Sequence, residues 1–134
     1  MTTFIDTNVL IYITKPDSEQ HAIAVEAFNK CKLDGAIILT DVAYAEFSIG
    51  MPDQRSVDEI VAAFALVRAH MNDEALFEAG RVFMKHKQNG GGRTKPLPDH
   101  FIGAHAKIEG ATLLTNNSKD YETIEGLKVV GLTN

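Results

Sequence analysis

Four short apolar runs recur along the chain: residues 3–6 (TFID), 36–40 (AIILT), 111–115 (ATLLT) and 127–132 (LKVVGL). Longer stretches of helical character separate them. The runs are continuously apolar rather than alternating, the pattern of strands buried on both faces. Strands that alternate with helices imply a parallel sheet joined by right-handed crossovers, with helices covering both faces. The expected class is therefore α/β, a sandwich with a central parallel β-sheet, in one domain over residues 1–134. Ligands of such sheets bind at the carboxyl ends of the strands. Those ends hold Asp6 after the first run, Asp41 after the second, and Thr115, Asn116 and Asn117 after the third.

The segments between the strands carry helix start and stop signals. A first helix over TNVLIYIT would be capped by Thr7 or Asn8 and end before Pro16. A second starts at Asp17 or Ser18, with Ala22, Val25, Ala27 and Phe28 as apolar positions. A third runs from Asp41 to Gly50, ahead of Pro52. Ser56 and Glu59 have capping-box spacing and open a helix extending to about His70. Another runs from Asp73 or Glu74 to His86. Residues 88–93 (QNGGGR) read as a loop, and Pro98 begins a last helix that stops at Gly110.

Composition excludes several classes. No apolar run approaches the ~20 residues of a membrane span. No basic region precedes an apolar stretch at the N-terminus, so no secretory signal is expected. Cys31 is the single cysteine. It can form no internal disulfide and has no cysteine partner for zinc, which suits a reducing cytoplasm. The formal net charge of −5 argues against a nucleic-acid binder when taken as a sum. Its distribution argues otherwise. Residues 81–95 contain Arg81, Lys85, Lys87, Arg93 and Lys95 with no acid, a +5 stretch in a remainder of −10. It reads either as a solvated helix face with a loop or as a strip that contacts a partner.

Three of the 18 acids have apolar neighbours: Asp6 in FIDTNVL, Glu46 in VAYAEFSI and Asp99 in LPDHFI. A carboxylate in such a setting is unfavourable unless paired or coordinated. Singly, Asp6 is accounted for as a helix cap, Asp99 as a first-turn acid and Glu46 as a solvent-facing side chain. Together they converge on one end of the sheet, where one must keep its proton or a cation must neutralise them. Oxygen-only donors suit a hard cation, Mg²⁺ or Mn²⁺. Zinc is disfavoured, because His100 and His105 lack the i, i+4 spacing of a helical zinc site. Those histidines read as surface or core residues. Residues 90–95 lack the P-loop spacing, and no GxSxG elbow occurs.

The residues FIDTNVL (4–10) resemble the opening of PIN-domain nucleases, and within that family the VapC-type toxins of toxin–antitoxin modules. LTDVAYAE (39–46), PDHFIGAHA (98–106) and GATLLTNN (110–117), followed by KDY (119–121), resemble the later family segments in the same order. The resemblance implies a three-layer α/β/α sandwich and a Mg²⁺-dependent endoribonuclease, with Mn²⁺ as the alternative ion. Asp6, Glu46 and Asp99 match the family's three main acids and would hold the metal. At the fourth position many members carry an aspartate where Asn117 stands, and others place the acid three residues later, where Asp120 stands; either would complete the site. Thr7, Asn8 and Thr115 would supply supporting hydrogen bonds. RNA, a cognate antitoxin and a second copy of the chain are the implied partners. The strip of Arg81, Lys85, Lys87, Arg93 and Lys95 is the candidate RNA contact, which the resemblance does not itself assign.

Two rivals remain at this level. A dehalogenase-like phosphatase also opens on a strand ending in aspartate, but it needs an acid where Asn8 stands. A PIN-fold interaction module with impaired chemistry would bind RNA or protein without cutting.

Overall fold

The computed structural model describes residues 1–90 and 97–132. Its strands are β1 (Thr3–Ile5), β2 (Ile37–Thr40), β3 (Val67–Ala69), β4 (Thr112–Thr115) and β5 (Lys128–Gly131). Its helices are α1 (Thr7–Ile13), α2 (His21–Asp34), α3 (Asp41–Ser48), α4 (Gln54–Ala63), α5 (Asp73–Gln88) and α6 (Pro98–Ile108), with a 3₁₀ turn at Ser118–Tyr121. All strand pairs are parallel, in the order β3-β2-β1-β4-β5. Helices cover the sheet in an α/β/α sandwich. The order reverses direction between β1 and β4, so the topological switch point lies at their carboxyl ends.

The core explains why the central runs are apolar throughout. Phe4, Ile5, Ile37, Leu39, Leu113 and Leu114 are all fully buried. Each contributes roughly 1.5–3 kcal/mol by leaving water. His105 reaches the same core from α6. Its Nδ1 lies 2.5 Å from Thr40 Oγ1, and its ring meets Phe4 edge-on at 4.8 Å. Burial lowers its pKa, which keeps it neutral. His100 is also buried, and its Nδ1 accepts from the Leu97 backbone N–H at 2.8 Å. Both histidines are therefore core residues, one of the two settings the sequence allowed.

Several expectations need correction. The helix placed over 56–70 is two elements, α4 and the edge strand β3. Asp53 rather than Ser56 caps α4, because its Oδ1 accepts from both the Ser56 N–H (2.8 Å) and the Ser56 hydroxyl (2.7 Å). The helix ends near Ala65, which adopts a left-handed φ of 51°. β3 is short and has one open edge, with Val67 47% exposed. Arg68 anchors it to its neighbour. The guanidinium donates to Leu39 O and Asp41 Oδ1 and lies 4.6 Å from the centre of the Tyr44 ring. Asp41 also accepts from the Met71 N–H at 3.1 Å. Its position after β2 thus serves this junction.

Two helix starts also shift. Asp6, not Thr7 or Asn8, is the N-cap of α1. α2 begins at His21, because residues 17–20 form a turn in which Ser18 Oγ accepts from the Gln20 N–H at 3.2 Å. Its core residues are Ala24 and Phe28, while Ala22 is exposed and Val25 and Ala27 are partly buried. No helix among the described residues is long and apolar enough to cross a membrane.

Candidate active site at the switch point

β1 ends at Ile5, and the chain turns directly into α1. That leaves Asp6 at the carboxyl edge of the central strand, 4% exposed. Its backbone N–H continues the ladder to Leu114 O at 2.9 Å, so its place is fixed by β4. Asp6 Oδ1 accepts from the Thr7 N–H at 2.7 Å. Oδ2 accepts from the Thr115 hydroxyl at 2.7 Å and the Tyr121 hydroxyl at 2.8 Å. Burial raises the Asp6 carboxyl above its ordinary value, and these three donors pull the other way.

Glu46, half-buried on α3, accepts from the Thr7 hydroxyl at 2.7 Å. It faces α1 and the site rather than solvent alone. Asp99 is the second residue of α6, and Pro98 sets its approach. Its carboxyl is pushed up to about 6, by burial first and then by the charges of Asp6, Asp120 and Glu46. Asp120 sits exposed on the 3₁₀ turn, and its charge also acts on Asp6. The charges of Asp6, Asp120 and Glu46 thus all act on Asp99, and that of Asp120 also acts on Asp6.

The supporting residues divide. Thr7 and Thr115 hydrogen-bond the carboxylates directly. Thr115 Oγ1 also accepts from the Asn117 N–H at 3.0 Å, so Asn117 acts through its backbone. Asn8 Oδ1 accepts from the Asn116 N–H at 3.2 Å and ties α1 to the end of β4.

Tyr121 is the residue that sequence reasoning did not single out. Its ring is buried, and its hydroxyl donates to Asp6 Oδ2 at 2.8 Å, near enough to Asp99 for that charge to act on it. Burial and the two carboxylates hold the phenol well above its usual range, so it remains a donor. The only signal in the sequence is Gly103 on α6. A Cβ there would lie 3.0 Å from the Tyr121 ring and 2.5 Å from Ile124. Tyr121→Phe removes one donor from a buried carboxylate and is expected to lower stability by about 1–3 kcal/mol. Urea unfolding of the variant measures this.

The donor set fits a hard divalent cation by chemistry: oxygen only, mostly carboxylate, and mutually repelling. The carboxylates are not drawn into a closed cage. Among the described residues no three His, Cys, Asp or Glu side chains form a group that could hold an ion. Asp6 instead has both oxygens turned to Thr7, Thr115 and Tyr121.

The basic strip is split. Lys85 pairs with Glu125 at 2.8 Å, and Arg81 lies 4.7 Å from the centre of the Phe77 ring. Lys87 is exposed at the end of α5, while Arg93 and Lys95 lie outside the described residues.

Fold and site together define an α/β sandwich with an acidic centre at its switch point. The PIN domain family model matches residues 3–126, and the chain belongs to that family. PIN domains are nucleases that generally use divalent metal ions. No curated protein matches the chain. Among solved structures, it is similar to a chain of VapBC-1 from nontypeable Haemophilus influenzae, at 24% identity and a TM-score of 0.76 over 100% of both chains. VapBC2 from Rickettsia felis, bound to a promoter DNA fragment, gives 22% identity and a TM-score of 0.75, covering 99% of this chain and 100% of that one. Mycobacterium tuberculosis VapC20, a Sarcin-Ricin loop cleaving toxin, gives 13% and 0.58, covering 82% and 85%. At these identities the likeness is one of fold.

Proposed function

We propose that the chain is a divalent-cation-dependent endoribonuclease and the toxin of a toxin–antitoxin pair. The observation that carries this reading is the gathering of carboxylates about Asp99, on which the charges of Asp6, Asp120 and Glu46 all act. Asp6, Glu46 and Asp99 would hold the ion, Mg²⁺ first and Mn²⁺ as the alternative, with Asp120 as the fourth acid. When bound, such an ion supplies Lewis acidity, which makes water a usable nucleophile at neutral pH and offsets phosphoryl charge. The protein's own part is to fix the carboxylates. Thr115 and Tyr121 hold Asp6, Thr7 links Asp6 to Glu46, and Asn8 and Asn117 brace the end of β4. An RNA phosphodiester would be hydrolysed in line at this centre.

The VapBC complexes among the structural neighbours, and the description of VapC20 as a cleaving toxin, support the antitoxin and RNA parts of the reading. An antitoxin arm carrying arginine or lysine suits the acidic centre. A second copy of the chain and a cytoplasmic setting complete the proposal. The deciding experiment incubates the purified chain with RNA in Mg²⁺, in EDTA, and in EDTA followed by excess Mg²⁺. Cleavage is expected in the first and third. Cleavage that survives EDTA overturns the reading.

Arg81, Lys85, Lys87, Arg93 and Lys95 are proposed to contact RNA phosphates. The Lys85–Glu125 pair is exposed and contributes little, so a phosphate can replace it. Changing Lys85, Lys87 and Arg93 to alanine is expected to lower the slope of log K against log salt by about 2, at ~0.7 per phosphate of single-stranded RNA. Filter binding at several salt concentrations measures the slope.

A non-catalytic interaction module is favoured by one feature, Asn117 at the position where many family members carry an aspartate. It expects RNA binding without cleavage and no thermal shift on adding Mg²⁺.

A further inference from the structure

An ionised carboxylate offers about four lone-pair sites, two on each oxygen. At Asp6 most of them are taken. Oδ2 accepts from two hydroxyls, Thr115 at 2.7 Å and Tyr121 at 2.8 Å, so both of its sites are filled. Oδ1 accepts from the Thr7 N–H at 2.7 Å. Among the described residues no donor takes its second site. Asp6 is left with one free site, on one oxygen. The two hydroxyls on Oδ2 come from different elements. Thr115 is the last residue of β4, fully buried and paired with Gly131 of β5. Its Oγ1 accepts from the Asn117 N–H, which leaves its own proton for Asp6. Tyr121 reaches Asp6 from the 3₁₀ turn. Its buried ring lies against Gly103 of α6, where a Cβ would come within 3.0 Å of it. That packing fixes how far the hydroxyl extends.

Building on the cation-dependent centre proposed above, we propose that Tyr121 is a positioning residue for ion selectivity: its hydroxyl occupies Asp6 Oδ2, makes Asp6 a one-oxygen ligand, and so favours Mg²⁺ over Ca²⁺. The two ions ask different things of a carboxylate. Ca²⁺ accepts both oxygens of one carboxylate and tolerates a crowded, irregular shell. Mg²⁺ demands near-octahedral geometry, which the narrow bite of a two-oxygen carboxylate distorts. Tyr121 and Thr115 together withhold from Asp6 the binding mode that only the larger ion uses well. Tyr121 is the member of the pair whose hydroxyl can be removed with its packing kept. Tyr121→Phe leaves the ring against Gly103 and frees one site on Oδ2. Thr115 is harder to separate from its structural duty, because the same oxygen also holds the Asn117 N–H.

The test needs no RNA. Electron paramagnetic resonance counts Mn²⁺ bound to the full chain, and titrated Mg²⁺ or Ca²⁺ displaces it. Loss of an outer partner of a metal ligand costs about 10–100-fold in affinity, and a loss of that general kind would weaken both ions alike. Tyr121→Phe is instead expected to shift the ratio of the two displacement constants toward Ca²⁺ by about tenfold. Ile124→Val trims the buried side chain beside Gly103 and keeps the hydroxyl, so it is expected to hold the ratio within about twofold of the parent. Where circular dichroism shows Tyr121→Phe unfolded, Thr115→Val frees a site on the same oxygen and carries the same expected shift. An unchanged ratio, or an equal shift in Ile124→Val, overturns the selectivity role while Mn²⁺ binding by the parent leaves the cation reading standing. A parent that binds no Mn²⁺ overturns both.

Discussion

Asp6→Asn is expected to reduce Mg²⁺-dependent RNA cleavage by about 10³-fold or more while leaving the chain folded. Asp6 occupies the point where β1, β4, α1 and the 3₁₀ turn meet, and its carboxylate is the one most enclosed by protein. The amide has the same shape and still accepts hydrogen bonds through its oxygen. It carries no charge to hold a cation. Loss of a metal ligand removes several kcal/mol of transition-state stabilisation, and each 1.36 kcal/mol is a factor of ten. Initial rates on a labelled RNA, with circular dichroism as the fold control, measure the effect. Activity within tenfold of the parent would show that Asp6 is a structural cap and no more.

Legibility in the sequence followed burial. β1, β2 and β4 sit in the interior of the sheet, so nearly every residue must be apolar, and the runs TFI, IILT and TLLT stand out from their neighbours. β3 lies at an edge, is only three residues long and contains Arg68, so no hydrophobic signal marks it. What holds it is the Arg68 clamp onto Leu39 O, Asp41 and Tyr44, a set of contacts between residues distant in the chain. The acids follow the same logic. Asp6, Glu46 and Asp99 were readable because a charge is costly among apolar neighbours. Asp120 lies in a polar stretch and was reached only through the family resemblance. The role of Tyr121 depends on a close helix-to-turn contact at Gly103, and nothing in the local sequence encodes the hydroxyl's contact with Asp6. The basic stretch is legible as a run of charge but not as a surface. A run of like charges on a helix spans several faces, so Lys85 finds Glu125 while Lys87 and Arg81 point elsewhere.

Asp99→Asn is expected to make the chain more stable in EDTA by about 1–3 kcal/mol near neutral pH, and to abolish cleavage. The direction follows from linkage. The Asp99 carboxyl titrates at about 6 in the folded chain, against 3.8 as its ordinary value. The folded state therefore binds the Asp99 proton more tightly than the unfolded state does. The stability from that proton is fully present below about 3.8 and is lost as pH rises through about 6. At pH 7 the ionised side chain repels Asp6, Asp120 and Glu46 from a half-buried position, and asparagine removes that repulsion. Asp99 keeps some contact with water, which holds the gain below what full burial would give. The advantage of the variant should shrink as pH is lowered from 7 toward 4, because the parent then takes up its proton. It should also shrink at pH 7 when Mg²⁺ or Mn²⁺ is added, since an ion that binds the folded parent stabilises it by mass action and the variant has lost a ligand. Urea midpoints at pH 7 and pH 5, with EDTA and with Mg²⁺, resolve the contributions. A variant less stable than the parent in EDTA would show that the carboxylates do not strain one another. A midpoint of the parent indifferent to divalent ions would show that their repulsion serves no cation.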